Sequence, residues 1–256
     1  MKEAIETGAA GRWRPKSFDR SPTVTDDRMI VGKPAMNALI KPLGDWINIR
    51  LAAEVTAIDR EGEVWRLRTL ANERGEPFDI VVSSAPAPQA RVFLASQPKI
   101  AEALVNVAIA PCWALMLTFE KRFDSGFDVW RSGSDDLAWI SRDNSKPGRL
   151  AAKDCWVVHA SPEWSQRCLE LDRDKVAEMM IETLPRTFGS RLPEIEHASA
   201  HRWRYARTAA PLGKPYLCSD DHTLFVGGDW CLGARVECAF ESGQAIANAV
   251  TGSSKA

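Results

Sequence analysis

The sequence predicts a mixed α/β protein in two parts, and three stretches carry that prediction. The run Phe78-Asp79-Ile80-Val81-Val82-Ser83 is apolar at successive positions, as a strand covered on both faces would be. Trp113, Leu115, Leu117 and Phe119 alternate strictly, the pattern of a half-buried strand in a second, mixed sheet. Leu224-Phe225-Val226 then runs as a buried strand into Gly227-Gly228-Asp229, and residues 236–250 carry a helical pattern.

The remaining elements follow from local chemistry. Residues 1–28 lack sustained periodicity and are expected to be loop or part of a larger unit. Pro34 suits a first helical turn, and Ala35, Met36, Leu39 and Ile40 fall at helical spacing, which predicts a short helix. Ile47, Ile49 and Leu51 alternate, Val55 to Ile58 follow, Asp59-Arg60-Glu61-Gly62 marks a turn, and Val64 to Leu70 resumes. Together they predict a small antiparallel sheet. The apolar run at 78–83 ends in Ser84-Ala85-Pro86-Ala87-Pro88, a loop. Leu137 to Ile140, Trp156 to Ala160, and the alternating His201, Trp203 and Tyr205 add strands to the second sheet. Ser161 caps and Pro162 opens one helix, while Val176, Met179, Met180 and Leu184 stripe another that Pro185 helps to stop. In the last helix Ala239, Gly243 and Ala247 recur every four residues, so this face is expected to lie very close to another backbone. The division that results places 29–90 and 218–251 in one part, and 1–28 and 91–217 in the other.

Composition narrows the function. The 256 residues are 45% hydrophobic and 26% charged with a net charge of -1, so no field of one sign favours nucleic acid or an anionic membrane. A small-molecule partner is expected. The six cysteines form no Cys-x-x-Cys pair, and no stretch reaches the roughly 18 to 20 apolar residues of a membrane span. The expected location is the cytoplasm. Ten tryptophans against two tyrosines fill core gaps or line a pocket for a flat ring, and position along strands must decide which.

Chemistry concentrates at Phe225-Val226-Gly227-Gly228-Asp229-Trp230 and the residues after it. Paired glycines let backbone approach a ligand, an acid next to them accepts from sugar-like hydroxyls, and a helix start near Val236 points free N–H groups outward. This strand, Gly-Asp turn and helix resemble the carboxy-terminal flavin motif of the two-domain FAD oxidoreductases that include amine oxidases and phytoene desaturases. Further phrases are similar to the bacterial renalase-like branch: Val31 to Leu39, Pro111 to Met116, Ser145 to Arg149, His159 to Ser165, His201 to Ala206 and Gly228 to Glu237.

The resemblance implies FAD as cofactor, with a cradle made by Gly228, Asp229, Gly233, Arg235, Val236 and Glu237. It also implies that Val55 meets the adenine through its backbone and that Ser84, Ala85 and Pro86 border the dinucleotide. By the residues alone, Val55 is simply a core valine. Members of this family carry a Gly-x-Gly-x-x-Gly turn that holds the diphosphate, and that pattern does not occur here. The first part is therefore expected to be an incomplete FAD-binding Rossmann-like domain beside a mixed-sheet substrate domain. A complementing amino-terminal polypeptide or a homo-oligomer becomes an expected partner.

Substrate candidates lie on the second sheet. His201, Trp203 and Tyr205 share one face of a strand and Arg202 and Arg204 the other, with the inward face undetermined. Arg235 could meet an anionic or electron-rich substrate, and Trp139 and Asn144 are weaker candidates. His197 and His201 on a strand sit about 13 Å apart at about 3.3 Å per residue, too far for one metal. No catalytic acid or base is singled out, because hydride transfer needs positioning above all. By resemblance, the activity is oxidation of dihydronicotinamide isomers of NAD(P)H with oxygen as acceptor. The alternatives are an amine oxidase, and an inactive remnant or interaction subunit.

Overall fold

The computed structural model describes residues 2–19, 29–132, 135–150, 152–189 and 191–253, so positions 20–28 of the unpatterned opening stretch lie outside it. In chain order, α1 (Lys2–Glu6), β1 (Ala10–Arg12), β2 (Ser17–Asp19) and β3 (Ile30–Gly32) precede two 3-10 turns, Met36–Leu39 and Lys41–Gly44. Next come β4 (Val55–Glu61), β5 (Val64–Thr69), β6 (Asn72–Phe78), β7 (Val81–Ser83), α2 (Ala87–Phe93) and α3 (Pro98–Ala103). The middle holds β8 (Ala108–Phe119), β9 (Val129–Arg131), β10 (Leu137–Arg142), β11 (Asp154–Ala160), α4 (Pro162–Arg167) and α5 (Arg173–Phe188). Then follow β12 (Ile195–Ala210), β13 (Leu217–Cys218), β14 (Leu224–Val226) and α6 (Val236–Ser253).

These elements make the mixed α/β fold that the sequence predicts. They divide into one unit of Met1–Ile49 and Pro111–Arg204 and another of Arg50–Ala110 and Tyr205–Ala256. Residues 29–49, 91–110 and 205–217 thus fall on the other side of the division from where sequence alone puts them.

The first unit is organised by a six-stranded sheet in the order β12-β8-β11-β10-β9-β2. The alternation at 113–119 is real: Trp113, Leu115, Leu117 and Phe119 are all buried, in one cluster with Trp156 and Val158 of β11 and Val176, Met180 and Leu184 of α5. Helix α4 begins as predicted, with Ser161 Oγ accepting from Trp164 N–H. Pro185 does not stop α5. It sits inside the last turn, which the buried Leu184 and Phe188 hold against the core, and the helix ends at Gly189 with φ +65°. Under the sheet, buried Arg142 pairs with fully buried Asp154 at 3.0 Å and lies over the Trp156 ring. On the opposite face, Trp13 and Val31 pack on Val129.

The helix expected from Pro34 appears instead as two short 3-10 turns, the second opening at Lys41-Pro42, and neither contains a buried residue. Without a buried stripe nothing holds a full α-helix together there. Ile47, Ile49 and Leu51 form no strand either; all three side chains are exposed, so their alternation has no sheet to serve.

The second unit contains the antiparallel meander β4-β5-β6, with β6 rather than residues 47–51 as its third strand. Its other sheet has the order β13-β14-β7, with β7 parallel to β14 and β13 antiparallel to it. The expectation of a strand covered on both faces fails at β7: Val81 and Ser83 are buried, but Val82 is 52% exposed and β7 stands at the edge of its sheet among the described residues. Val81 N–H donates to Thr223 and Ser83 C=O accepts from Gly227, so the backbone groups of Val82 face the outer edge. Helix α2 lies beside β4, and α3 beside α2, and both contribute to a core with Trp65, Leu224, Val226 and Trp230. Among the described residues no helix is long and apolar enough to cross a membrane.

Candidate functional site

A cavity of about 570 Å³ opens in the second unit, inside the range typical of small-molecule and cofactor sites. It is bounded by Val55 and Ile58 of β4, Leu67 of β5, Val81 to Ser83 of β7, Ser84 and Ala85 after it, and Gln89, Val92 and Phe93 of α2. Three sequence-predicted residues, Val55, Ser84 and Ala85, therefore meet around one space. Pro86 stands next to it as the residue preceding α2.

The Gly227-Gly228-Asp229 turn leaves the neighbouring strand. Gly228 has φ +154°, and a Cβ there would lie 2.7 Å from the Trp230 indole nitrogen; a Cβ on Gly227 would meet Ser242 Oγ and Ile246 Cδ1, both at 2.6 Å. Glycine is needed at both places because α6 and the indole occupy the room. Gly228 N–H donates to Ser242 Oγ at 3.0 Å, and Trp230 Nε1 donates to the Ala85 carbonyl at 3.1 Å. This last bond ties the turn to the cavity wall.

Asp229 is half-buried, and Thr208 Oγ1 donates to its Oδ2 at 3.4 Å. Arg235, Val236 and Glu237 are exposed at the start of α6, where the helix N-terminus carries its partial positive charge. Gly233, with φ +153°, turns the chain into that helix. The expected close contact through Ala239, Gly243 and Ala247 is not made: all three are exposed, and α6 buries Cys238, Ser242 and Ile246 instead. Gly227, just past the end of β14, and not a glycine of the helix, provides the close approach.

In the first unit, β12 resolves which of its faces is which. Ala198 and Ala200 pack into the helix-covered core, so Arg202 and Arg204 share that side. There they converge on Glu170, with Arg204 at 2.7 and 3.0 Å and Arg202 at 3.2 Å, and Arg204's hydrogen bonds hold the Glu170 carboxyl below its usual range. His201 and Trp203 occupy the opposite face, edge to face at 4.5 Å, with Trp203 55% exposed. Tyr205 follows on the same alternation, half-buried.

The same sheet face carries a row across three strands, Ala114 opposite His159 and His159 opposite Trp139. Burial, and then the charge of Lys146, pull the His159 imidazole below its usual range. Trp139 lies under the Arg131 guanidinium at 4.5 Å. Asn144 spends its amide on backbone, donating to Lys153 and accepting from Cys155. Burial pushes the thiols of Cys112 and Cys231 up to about 11, which favours their protonated forms near neutral pH.

Several phrases that carry the resemblance turn out to be structural locks. Arg149 donates to the carbonyls of Gly32 and Pro34, joining the stretch at 145–149 to that at 31–39. Trp113 N–H donates to Ser165 Oγ and its indole to the Cys168 carbonyl, joining 111–116 to 159–165. Sequence reasoning missed Trp230, Ser242, Gln89 and Phe93. Trp230 directly follows the Gly-Gly-Asp turn, and that adjacency was the signal available.

The structure is thus a mixed α/β fold in which a cofactor-sized cavity lies beside a strand–Gly-Gly-Asp–helix turn. The family model for flavin containing amine oxidoreductase matches residues 20–251, and the chain belongs to that family. Among solved structures it is similar to a putative protoporphyrinogen oxidase from Exiguobacterium sp. 255-15, with 16% identity and a TM-score of 0.67 over 86% of this chain and 51% of that one. It is also similar to cyclohexylamine oxidase from Brevibacterium oxydans IH-35A, with 12% identity and a TM-score of 0.68 over 87% and 54%. An oxidoreductase from Methanosarcina mazei aligns at 15% identity and a TM-score of 0.53, over 76% and 48%. The chain spans about half the length of these structures, and identities this low speak for the fold alone.

Proposed function

We propose that this chain serves a flavin-dependent oxidoreductase of renalase-like type, which takes hydride from dihydronicotinamide isomers of NAD(P)H. The observation that carries the proposal is the gathering of Val55, Ser84 and Ala85 around one cavity, with the Gly-Gly-Asp turn bonded to its wall through Trp230. In a family defined by flavin this cavity suits FAD, whose adenosine end would be held by Val55 and by the loop Ser84 to Pro86. Bound flavin supplies a two-electron acceptor that passes its electrons on to oxygen.

The chain's own residues bind and orient. Asp229, steadied by Thr208, would accept hydrogen bonds from hydroxyls of the ribityl chain, and Gly228 and Gly233 would let the backbone come close. The exposed start of α6 at Arg235, Val236 and Glu237 would favour negative charge on the reduced cofactor. His201 and Trp203 offer a pair of rings to a flat substrate, and Arg204 supports their strand from the other face through Glu170.

The full chain should turn yellow with FAD and be bleached anaerobically by the dihydronicotinamide isomers. Amines that bleach it instead would move the substrate class to amine oxidation. Colourless protein that takes up no added FAD would defeat the proposal for this chain. A second proposal, an interaction subunit completed by another polypeptide, is favoured by the outer edge of β7, which has no strand beside it among the described residues. Co-expression with the coding sequence directly upstream, followed by co-purification, separates the two.

A further inference from the structure

We propose that Trp230 is a positioning residue, setting the spacing between the loop after β7 and the Gly-Gly-Asp turn after β14 so that both address one cofactor. The proposal rests on the cofactor reading above. Trp230 is 1% exposed, and its ring is part of the core beneath both loops. A buried indole must satisfy its N–H, and here the acceptor is the carbonyl of Ala85, a residue of the cavity wall, at 3.1 Å. The same indole edge fills the place of a Gly228 side chain, since a Cβ there would come within 2.7 Å of Nε1 and 3.0 Å of Cδ1.

From the far side, Ser242 holds the Gly228 N–H at 3.0 Å. The turn is thus gripped between α6 and the indole, and the indole in turn grips Ala85. This side-chain tie adds to the backbone bond from Gly227 N–H to Ser83, three residues before Trp230 and two before Ala85. Because Asp229 is covalently next to Trp230, any shift of the indole moves the carboxylate and the cavity wall together. Phenylalanine would fill much of the core space but could not hold Ala85.

Two variants of the full chain test this: Trp230→Phe, and a replacement of residue 230 by 3-benzothienylalanine, which keeps the bicyclic shape and removes only the N–H. FAD affinity by fluorescence quenching, the thermal midpoint, and amide exchange at residues 84–86 and 227–233 are measured for each. The expected result for the benzothienyl variant is FAD binding about tenfold weaker, the worth of one buried hydrogen bond, with an almost unchanged thermal midpoint. Amides 84–86 should exchange faster even without FAD. Unchanged exchange at 84–86 in that variant overturns the proposal. If the unaltered chain takes up no FAD, the cofactor reading fails, while the exchange measurement on the FAD-free chain still decides whether Trp230 holds the two loops.

Discussion

Strands β8 and β7 solve the burial of a strand to different degrees. β8 sits inside a six-stranded sheet, and its apolar positions at 113, 115, 117 and 119 are covered by α5 and neighbouring strands. β7 is three residues long, has one parallel neighbour, and leaves Val82 and its outer edge uncovered among the described residues. The first region closes its own core; the second keeps surface and a cavity available. Stability should therefore concentrate in the first unit and ligand response in the second.

That contrast can be broken most directly at Leu184, fully buried where α5 meets the sheet. Leu184→Ala should cost about 3 kcal/mol in urea unfolding, through lost burial and the cavity left behind. A loss below about 1 kcal/mol would mean that the first unit does not carry the stability assigned to it. A smaller effect is expected from His159. Its folded form holds the proton less readily than the unfolded chain does, so its contribution is absent well above the ordinary histidine range and becomes destabilising as pH falls through it. Unfolding measured from about pH 7.5 down to about pH 5.5 should show a decline that His159→Gln reduces. The smallest effect belongs to Val92, which lines the cavity yet is 74% exposed. Val92→Ala should leave stability within about 0.5 kcal/mol, and a larger loss would show the cavity wall to be part of a core.

What the sequence makes legible follows from the same contrast. Alternation at 113–119 is informative because one face of β8 is buried, and periodicity reports burial. Ile47, Ile49 and Leu51 show the same alternation without a sheet beside them. The true third strand of the meander, Asn72–Phe78, is polar and carries Gly75 and Pro77; it exists because β5 supplies a ladder across a two-residue turn. In the last helix the small residues are plain in the sequence, but the stripe that turns inward carries Ser242 and Ile246, which close on Gly227 just past β14. The Gly-Gly-Asp turn was legible from neighbours in the chain. Its anchor was not, since Trp230 and Ala85 stand 145 positions apart and nothing local records that one reaches the other.

Among the described residues no strand lies along the outer margin of β7. Outward-facing peptide groups on a parallel strand act as a template for any extended segment that comes near, whether from a cognate polypeptide or from another copy. How crowded the solution is will therefore govern how the purified chain behaves, and a cognate segment that seats there should suppress self-association as it binds.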